Sequence, residues 1–338
     1  MEDCPPAYNS AGLDLYQSVI ESLNNCHQQD TKGQYKSGLK KFKKWIIQTC
    51  PTLELPLSEL DWCLYAQWLK TKEKHTPGTV KQYLEHVSFM LECLGHDKPK
   101  WKNMSKLRRL KVRNRGMILS KANKKQPVGW SLVKKIVDIV PEEDADANIF
   151  CATLTCGVAG FFRLGELLVK KKTKVKQERL IRAGHLKFFP NRAEPNHMSL
   201  FLPYSKTDIF GHGITIMIPC HPEPRYCPVR RMAHATRYLN ATDPVFCWPS
   251  GMLMTKQSFI RKLRFHLAEL GIDYKQYSGH SLRRGAAQSA KAAGAGPELI
   301  KLLGRWNSDA YKFYLHSVPS HVQQLNTTLS LMGLAQTG

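Results

Sequence analysis

Between Lys98 and Gln126 the chain carries 12 Lys and Arg residues and not one Asp or Glu. A run of like charge repels itself, and the apolar residues here recur too irregularly to make a core face. The run therefore separates two parts that must each bury a core of their own, and it ends against Pro127. Those parts differ in charge. Residues 1–97 hold 10 basic and 12 acidic residues, whereas residues 127–338 hold 28 and 15. The formal charge of +23 on 338 residues thus comes from the basic run and the C-terminal part. An excess of that size points to a polyanion, with nucleic acid foremost. The expected organisation is a helical domain over 1–97, a basic interdomain linker over 98–126 that lies along a phosphate backbone, and a second domain over 127–338.

Composition removes several classes. With 42% hydrophobic residues and seven Trp, the chain buries real cores and is no disordered basic tail. It has no run of 18 uncharged apolar residues, so no membrane span is expected. Met1 to Ser10 has two acids, two prolines and no basic residue, unlike a secretory signal. Ten Cys without a CxxC pair read as reduced intracellular thiols.

The first part reads as all helical. Thr31 is placed to cap a helix in which Tyr35, Leu39, Phe42 and Ile46 recur at spacings of four and three. Lys32, Lys36, Lys40, Lys43 and Lys44 share its other side with no acid on the stripe. Such a face is often merely solvated; five lysines without an acid point to phosphate contact. Ser58 to Lys72 gives a second helix with a Trp62, Tyr65, Trp68 and Leu69 stripe, read as core. Thr76-Pro77 is a cap followed by proline at the first helical position. It opens a third helix with Thr79, Tyr83, Val87 and Met90 on one side.

After Pro127 the pattern becomes mixed. Helices are expected over 131–140, 147–155, 162–169, 258–270, 281–293, 297–303 and 308–315. Residues 198–204 and 214–219 read as strands of a hairpin around KTDIFGHG. The fold class is mainly α with a small β-sheet.

Several local features carry chemical potential. Arg163 and Glu166 lie three apart in GFFRLGELL, on one side of a helix start. Lys206 ends the first hairpin strand. His280 and Arg283 share a helix face in HSLR, next to Arg284. Trp306, Tyr311 and Tyr314 fall in GRWNSDAYKFYLH. Each has an ordinary reading as ion pair, cap or packing. CHPEPRYC (Cys220, His221, Cys227) has metal-type residues but no paired spacing, so no metal site is expected. No phosphate-binding glycine loop and no acidic cluster suited to two metals is evident, and no cofactor is implied.

In this order, Arg, Lys, His-x-x-Arg, Trp and Tyr, the residues resemble the tyrosine recombinase (phage integrase) family. Residues 150–318 resemble its catalytic domain and residues 10–100 its helical, SAM-like core-binding domain. The strings SKTDIFGHG, GHSLRRGAA and GRWNSDAYKFYLH are most similar to recombinases of DIRS and Ngaro retrotransposons and Crypton elements. The resemblance implies a metal-independent DNA strand transferase. Tyr314 would be the nucleophile, Arg163 and Arg283 the phosphate clamp, and Lys206 the general acid. His280 would assist proton transfer or hold the phosphate, Trp306 would donate its indole N–H or buttress the site, and Glu166 would orient Arg163. The Trp306 to Tyr314 interval of eight is one shorter than in many relatives, which leaves Tyr311 open as the alternative nucleophile.

DNA contact is expected from Lys106, Arg108, Arg109, Lys111, Arg113, Arg115 and Arg284 as well as the five lysines. The partner would be double-stranded DNA, bound by a homotetramer across two synapsed sites and by a monomer or dimer when free. In the family the chain's end packs into a neighbouring protomer; an apolar stripe at Val322, Leu325 and Leu329 suits that role or packing on its own domain. Residues 170–197 read as an insertion, DNA-contacting or solvated. Their KKKTKVK suggests nuclear localisation, with cytosol or nucleoid if the source is prokaryotic. Two rival readings remain: an inactive domesticated DNA-binding protein and a type IB topoisomerase.

Overall fold

The computed structural model describes residues 29–49, 55–93, 95–116, 125–170, 175–205, 208 and 211–306. The chain folds as two compact units, Met1–Ala122 and Asn123–Gly338.

Among the described residues, four helices build the first unit: α1 (Gln29–Thr49), α2 (Glu59–Thr71), α3 (Pro77–Cys93) and α4 (Ser105–Gly116). Ser58 caps α2 through a reciprocal box in which its Oγ accepts from Asp61 N at 3.2 Å and its own N–H donates to Asp61 Oδ2 at 2.8 Å. Thr76 Oγ1 accepts from Thr79 N at 3.3 Å at the start of α3. Helix α1 already covers Thr31, so that residue is not its cap. The buried aromatics Phe42, Trp45 and Tyr65 meet with centroids 5.2–5.5 Å apart. Trp45, which lies off the Tyr35–Leu39–Phe42–Ile46 line, is wholly buried. On α3 the core face is Val80, Leu84, Val87 and Leu91; it shares Val87 with the expected line but not Thr79, Tyr83 or Met90, because tertiary packing rotates the helix to bury its aliphatic side chains.

The basic run departs from the linker expected of it, since part of it is α4. Leu107 is only 1% exposed, in the core that contains Trp62, while Lys106, Arg108 and Arg109 stay exposed. The acid that the run lacks comes from α2. Glu59 Oε1 accepts from the backbone N–H groups of Lys106 at 2.6 Å and Leu107 at 3.1 Å, capping the positive end of the helix.

The second unit surrounds α6 (Ala145–Ala159), which is apolar on every side and buried along nearly its whole length. Asp144 caps it by accepting from Asp146 N at 2.9 Å. The hydroxyls of Thr153 and Thr155 are satisfied inside the core by the carbonyls of Ile149 and Cys151. Around it lie α5 (Trp130–Ile139), α8 (Pro228–Ala235), α9 (Lys256–Glu269) and α10 (Ser281–Ala292), with α11 (Pro297–Leu303) following. The helix expected over 162–169 is the single turn α7 (Leu164–Leu167). It starts late because Phe161 is left-handed, with φ +53°, and stops where Leu168 returns to extended backbone.

An antiparallel sheet of order β1–β2–β3 comprises β1 (Leu186–Phe189), β2 (His197–Leu202) and β3 (Ile214–Pro219). Leu200 pairs with Leu186 on one side and Ile216 on the other. Met198, Leu200 and Leu202 are fully buried. Strand β1 lies inside the stretch read as an insertion. That stretch is structural: Leu180, Ile181, Ala183 and Leu186 enter the core, and Ile181 O accepts from Val245 N at 2.9 Å. The helix expected over 308–315 and the terminal stripe at Val322, Leu325 and Leu329 lie outside the described residues.

Candidate active site

Two segments far apart in sequence meet at one buried carboxylate. The first is the turn Gly160–Phe162 that leads into α7. Arg163 is the N-cap of that turn, so Glu166, three residues on, folds back onto it. Arg163 Nη1 lies 2.6 Å from Glu166 Oε1, and Arg163 N donates to Glu166 Oε2 at 2.9 Å. The second is the turn after α11. There Gly304 approaches the Trp306 ring so closely that a Cβ would lie 1.6 Å from it. Only glycine permits that approach. Next in sequence, Arg305 has φ +53°, the same left-handed backbone as Phe161. Such backbone costs a non-glycine residue of order 1–3 kcal/mol and persists only where its surroundings hold it.

Helix α10 brings a second guanidinium. Arg283 Nη1 is 3.8 Å from Glu166 Oε1, Nη2 donates to Gly304 O, and the guanidinium carbon sits 4.4 Å from the centre of the Trp306 ring. Trp306 thus lies against the charge of Arg283, at cation–π distance. Two positions on, Gly285 lets α10 approach the backbone of Val128, where a Cβ would fall 1.9 Å from the carbonyl oxygen. His280, at the N-terminal end of α10, is exposed. The side chain of Glu166 is 3% exposed, that of Arg283 3% and that of Arg163 24%, so Arg163 offers the open edge of the cluster.

Arg305 completes the set. Its Nη2 lies 3.1 Å from Glu166 Oε2, and its Nη1 donates to Gly160 O at 3.0 Å. Burial pushes its pKa below the usual arginine range, and Glu166 opposes that shift. Three guanidinium groups on one carboxylate leave a local charge of +2 (three minus one), which suits an anion. Sequence reasoning missed Arg305. The available signal was a lone charged residue inside the apolar string LLGRW.

Lys206, Tyr311 and Tyr314 lie outside the described residues. Next to Lys206, however, the hairpin turn is organised by Asp208. Its carboxylate accepts from the N–H groups of Gly211 at 2.9 Å, His212 at 3.2 Å and Gly213 at 2.8 Å. These bonds hold its pKa below the ordinary aspartate value, the Gly213 bond most of all.

The residues expected to touch DNA are distributed unevenly. Lys36, Lys40 and Lys43 are exposed on α1. Lys44 is exposed too but lies 2.7 Å from Glu73, which also pairs with Lys41. The stripe therefore has an acid after all, supplied from the segment after α2. Arg284 Nη1 donates to Lys125 O at 2.6 Å. The side chains of Lys32, Lys111, Arg113 and Arg115 lie outside the described residues. In CHPEPRYC, Cys227 caps α8, its Sγ accepting from Arg230 N at 3.5 Å and from His221 N at 3.4 Å. Among the described residues, no three His, Cys, Asp or Glu side chains are grouped to hold a metal ion. No described helix is long and apolar enough to cross a membrane.

No family model matches the chain. An integrase/recombinase XerD homolog of Selenomonas ruminantium is 26% identical over 177 residues, covering 49% of this chain and 46% of that protein. The match thus spans about half the length of that relative. Among solved structures, XerH site-specific recombinase bound to palindromic difH substrate superposes with TM-score 0.57 at 12% identity, over 83% of this chain and 75% of its own. A Tn1549 transposon integrase in complex with circular intermediate DNA gives 0.54 at 11% identity, over 92% and 97%. A lambda integrase dimer bound to a COC′ core site gives 0.53 at 14% identity, over 92% and 76%. At these identities the likeness is one of fold, and the chain has the fold of these integrases and recombinases.

Proposed function

We propose that the chain is a DNA tyrosine recombinase that cleaves and rejoins strands through a 3′-phosphotyrosyl intermediate. The observation that carries this reading is the convergence of Arg163 and Arg283 on Glu166, with Arg163 open at the edge. A guanidinium fork matches two phosphate oxygens and stays charged at any working pH.

In the proposed reaction the Tyr314 phenolic oxygen attacks the scissile phosphorus and the bond from phosphorus to the 5′ oxygen breaks. The phenolic proton passes to His280, which is exposed at the N-terminal end of α10. Lys206 protonates the leaving 5′ oxygen. Arg163 and Arg283 stabilise the charge that grows on the non-bridging oxygens. A 5′-hydroxyl from a second strand then reverses each transfer, so the linkage energy is conserved without ATP. The side chains supply all the charge this chemistry needs, and it invokes no metal.

The fold shared with DNA-bound integrases and the +23 charge support double-stranded DNA as the partner. A homotetramer on two synapsed sites, an origin in a mobile element and a nuclear location extend the same proposal. The finer placement among DIRS, Ngaro and Crypton recombinases rests on the strings SKTDIFGHG, GHSLRRGAA and GRWNSDAYKFYLH.

A pool of nicked duplexes of randomised sequence tests the reading, because loss of the short cleaved strand traps the covalent adduct. The expected result is a denaturant-stable adduct whose linked peptide contains Tyr314, absent in Tyr314→Phe. Linkage at Tyr311 would move the nucleophile one turn back. Binding of duplex with no adduct would leave a DNA-binding protein without this activity.

A further inference from the structure

Arg305 has no role in the reaction just described, yet its side chain joins the two segments that form the site. Nη1 donates to Gly160 O at 3.0 Å, while Nη2 reaches Phe161 O at 3.4 Å and Glu166 Oε2 at 3.1 Å. Its guanidinium also lies 5.2 Å from the centre of the Phe162 ring. Arg305 and Phe161 are both left-handed at φ +53°, so one side chain ties a strained turn to a second strained turn.

The division of the carboxylate matters. Glu166 has two oxygens, and Oε1 carries Arg163 at 2.6 Å with Arg283 at 3.8 Å. Oε2 is held by Arg305 and by the Arg163 backbone N–H. With Oε2 occupied, Glu166 cannot turn to take the Arg163 guanidinium in a two-pronged pair. The remaining N–H groups of Arg163 are then left for a ligand.

We infer that Arg305 is a positioning residue: by holding Glu166 Oε2 and the Gly160–Phe161 turn, it sets the Arg163 guanidinium for a phosphodiester. The choice of phosphodiester rests on the proposed recombinase activity; the bracing of Arg163 does not. Lysine cannot replace it, because one ammonium does not match the Glu166 carboxylate and the Gly160 and Phe161 carbonyls as the two-nitrogen fork does.

The test uses the full chain as native protein, Arg305→Gln, Arg305→Lys, Glu166→Gln and the Arg305→Gln/Glu166→Gln double variant. Two quantities are read: the rate of adduct formation against duplex affinity on nicked duplexes, and the side-chain resonances of 15N-labelled arginines, with Arg163 assigned by its own substitution. Arg305→Gln and Arg305→Lys should each slow adduct formation by roughly tenfold to a hundredfold with little change in duplex affinity. The double variant should be slowed by less than the product of the two single effects, because part of what Arg305 does passes through that carboxylate. The Arg163 resonance should shift in either Arg305 variant. Multiplying rate effects in the double variant, or an Arg163 resonance unmoved by both substitutions, overturns the inference. Where Arg305→Gln does not fold, Arg305→Lys, which keeps the buried charge, carries the same comparison. If the native protein forms no adduct, the recombinase proposal fails by itself, and the Arg163 resonance alone then decides the role of Arg305.

Discussion

Arg305 Nη2 sits 3.1 Å from one oxygen of Glu166 while Arg163 Nη1 sits 2.6 Å from the other, so a single buried carboxylate joins residues 139 positions apart to residues three positions apart. The local pair supplies direction; the distant partner supplies rigidity.

Glu166 is therefore the residue whose loss should cost the second unit most. Glu166→Ala leaves Arg283 and Arg305 buried without their carboxylate, and breaking a buried ion pair in this way costs about 3–5 kcal/mol. Urea unfolding should show that loss with little change in slope. A cost below about 1 kcal/mol would place the two arginines in water rather than in the core.

Leu107 distinguishes a helix of the first unit from a linker. Truncating a buried Leu to Ala typically costs about 2–5 kcal/mol, while the same change in a solvated linker is near neutral. The unfolding midpoint of Leu107→Ala, compared with that of an exposed control such as Lys102→Ala, decides between them.

The exposed basic residues of α4 should act on duplex affinity through salt. Changing Lys106, Arg108 and Arg109 to Gln should reduce the slope of log affinity against log salt by roughly one for each phosphate that the helix no longer neutralises. Sequence preference should be unchanged. An unaltered slope would remove this helix from the phosphate interface.

Glu73 gives the first unit an acid limb. Hydrogen bonds from Lys41 and then Lys44 lower its carboxyl pKa to about 2, below its value in the unfolded chain. The unfolded state therefore binds the proton first as pH falls. The stabilisation is fully present above the unfolded pKa and is lost as pH drops towards about 2. The stability gap between native protein and Glu73→Gln should shrink from pH 6 to pH 2 and should also narrow in high salt, because the lysines are partly exposed. A gap that is flat across that pH range would contradict the ion pairs.

Much of the framework is legible within one helical turn of sequence. The Ser58 box, the Thr76-Pro77 start, the Asp144 cap and the Arg163–Glu166 pair each need only residues three or fewer apart, and backbone periodicity alone brings those together. The β2–β3 hairpin and α10 with Arg283 follow from alternation and helical spacing in the same way. The remaining features depend on where distant segments close. Glu59 caps α4 from 47 residues away, which turns an acid-free basic run into a helix. The core face of α3 shifts by one residue because its neighbours, not its own sequence, select the buried side. Strand β1 forms in an apparent insertion because β2 offers it a partner. Arg305 reads as one more surface charge until α11 carries it to Glu166, where burial makes an unpaired guanidinium costly and so fixes its place. Spacing alone puts Glu166 beside Arg163, and composition alone supplies the positive charge that points to a polyanion. Which distant cations share that carboxylate follows from chain closure and desolvation, which no local spacing encodes.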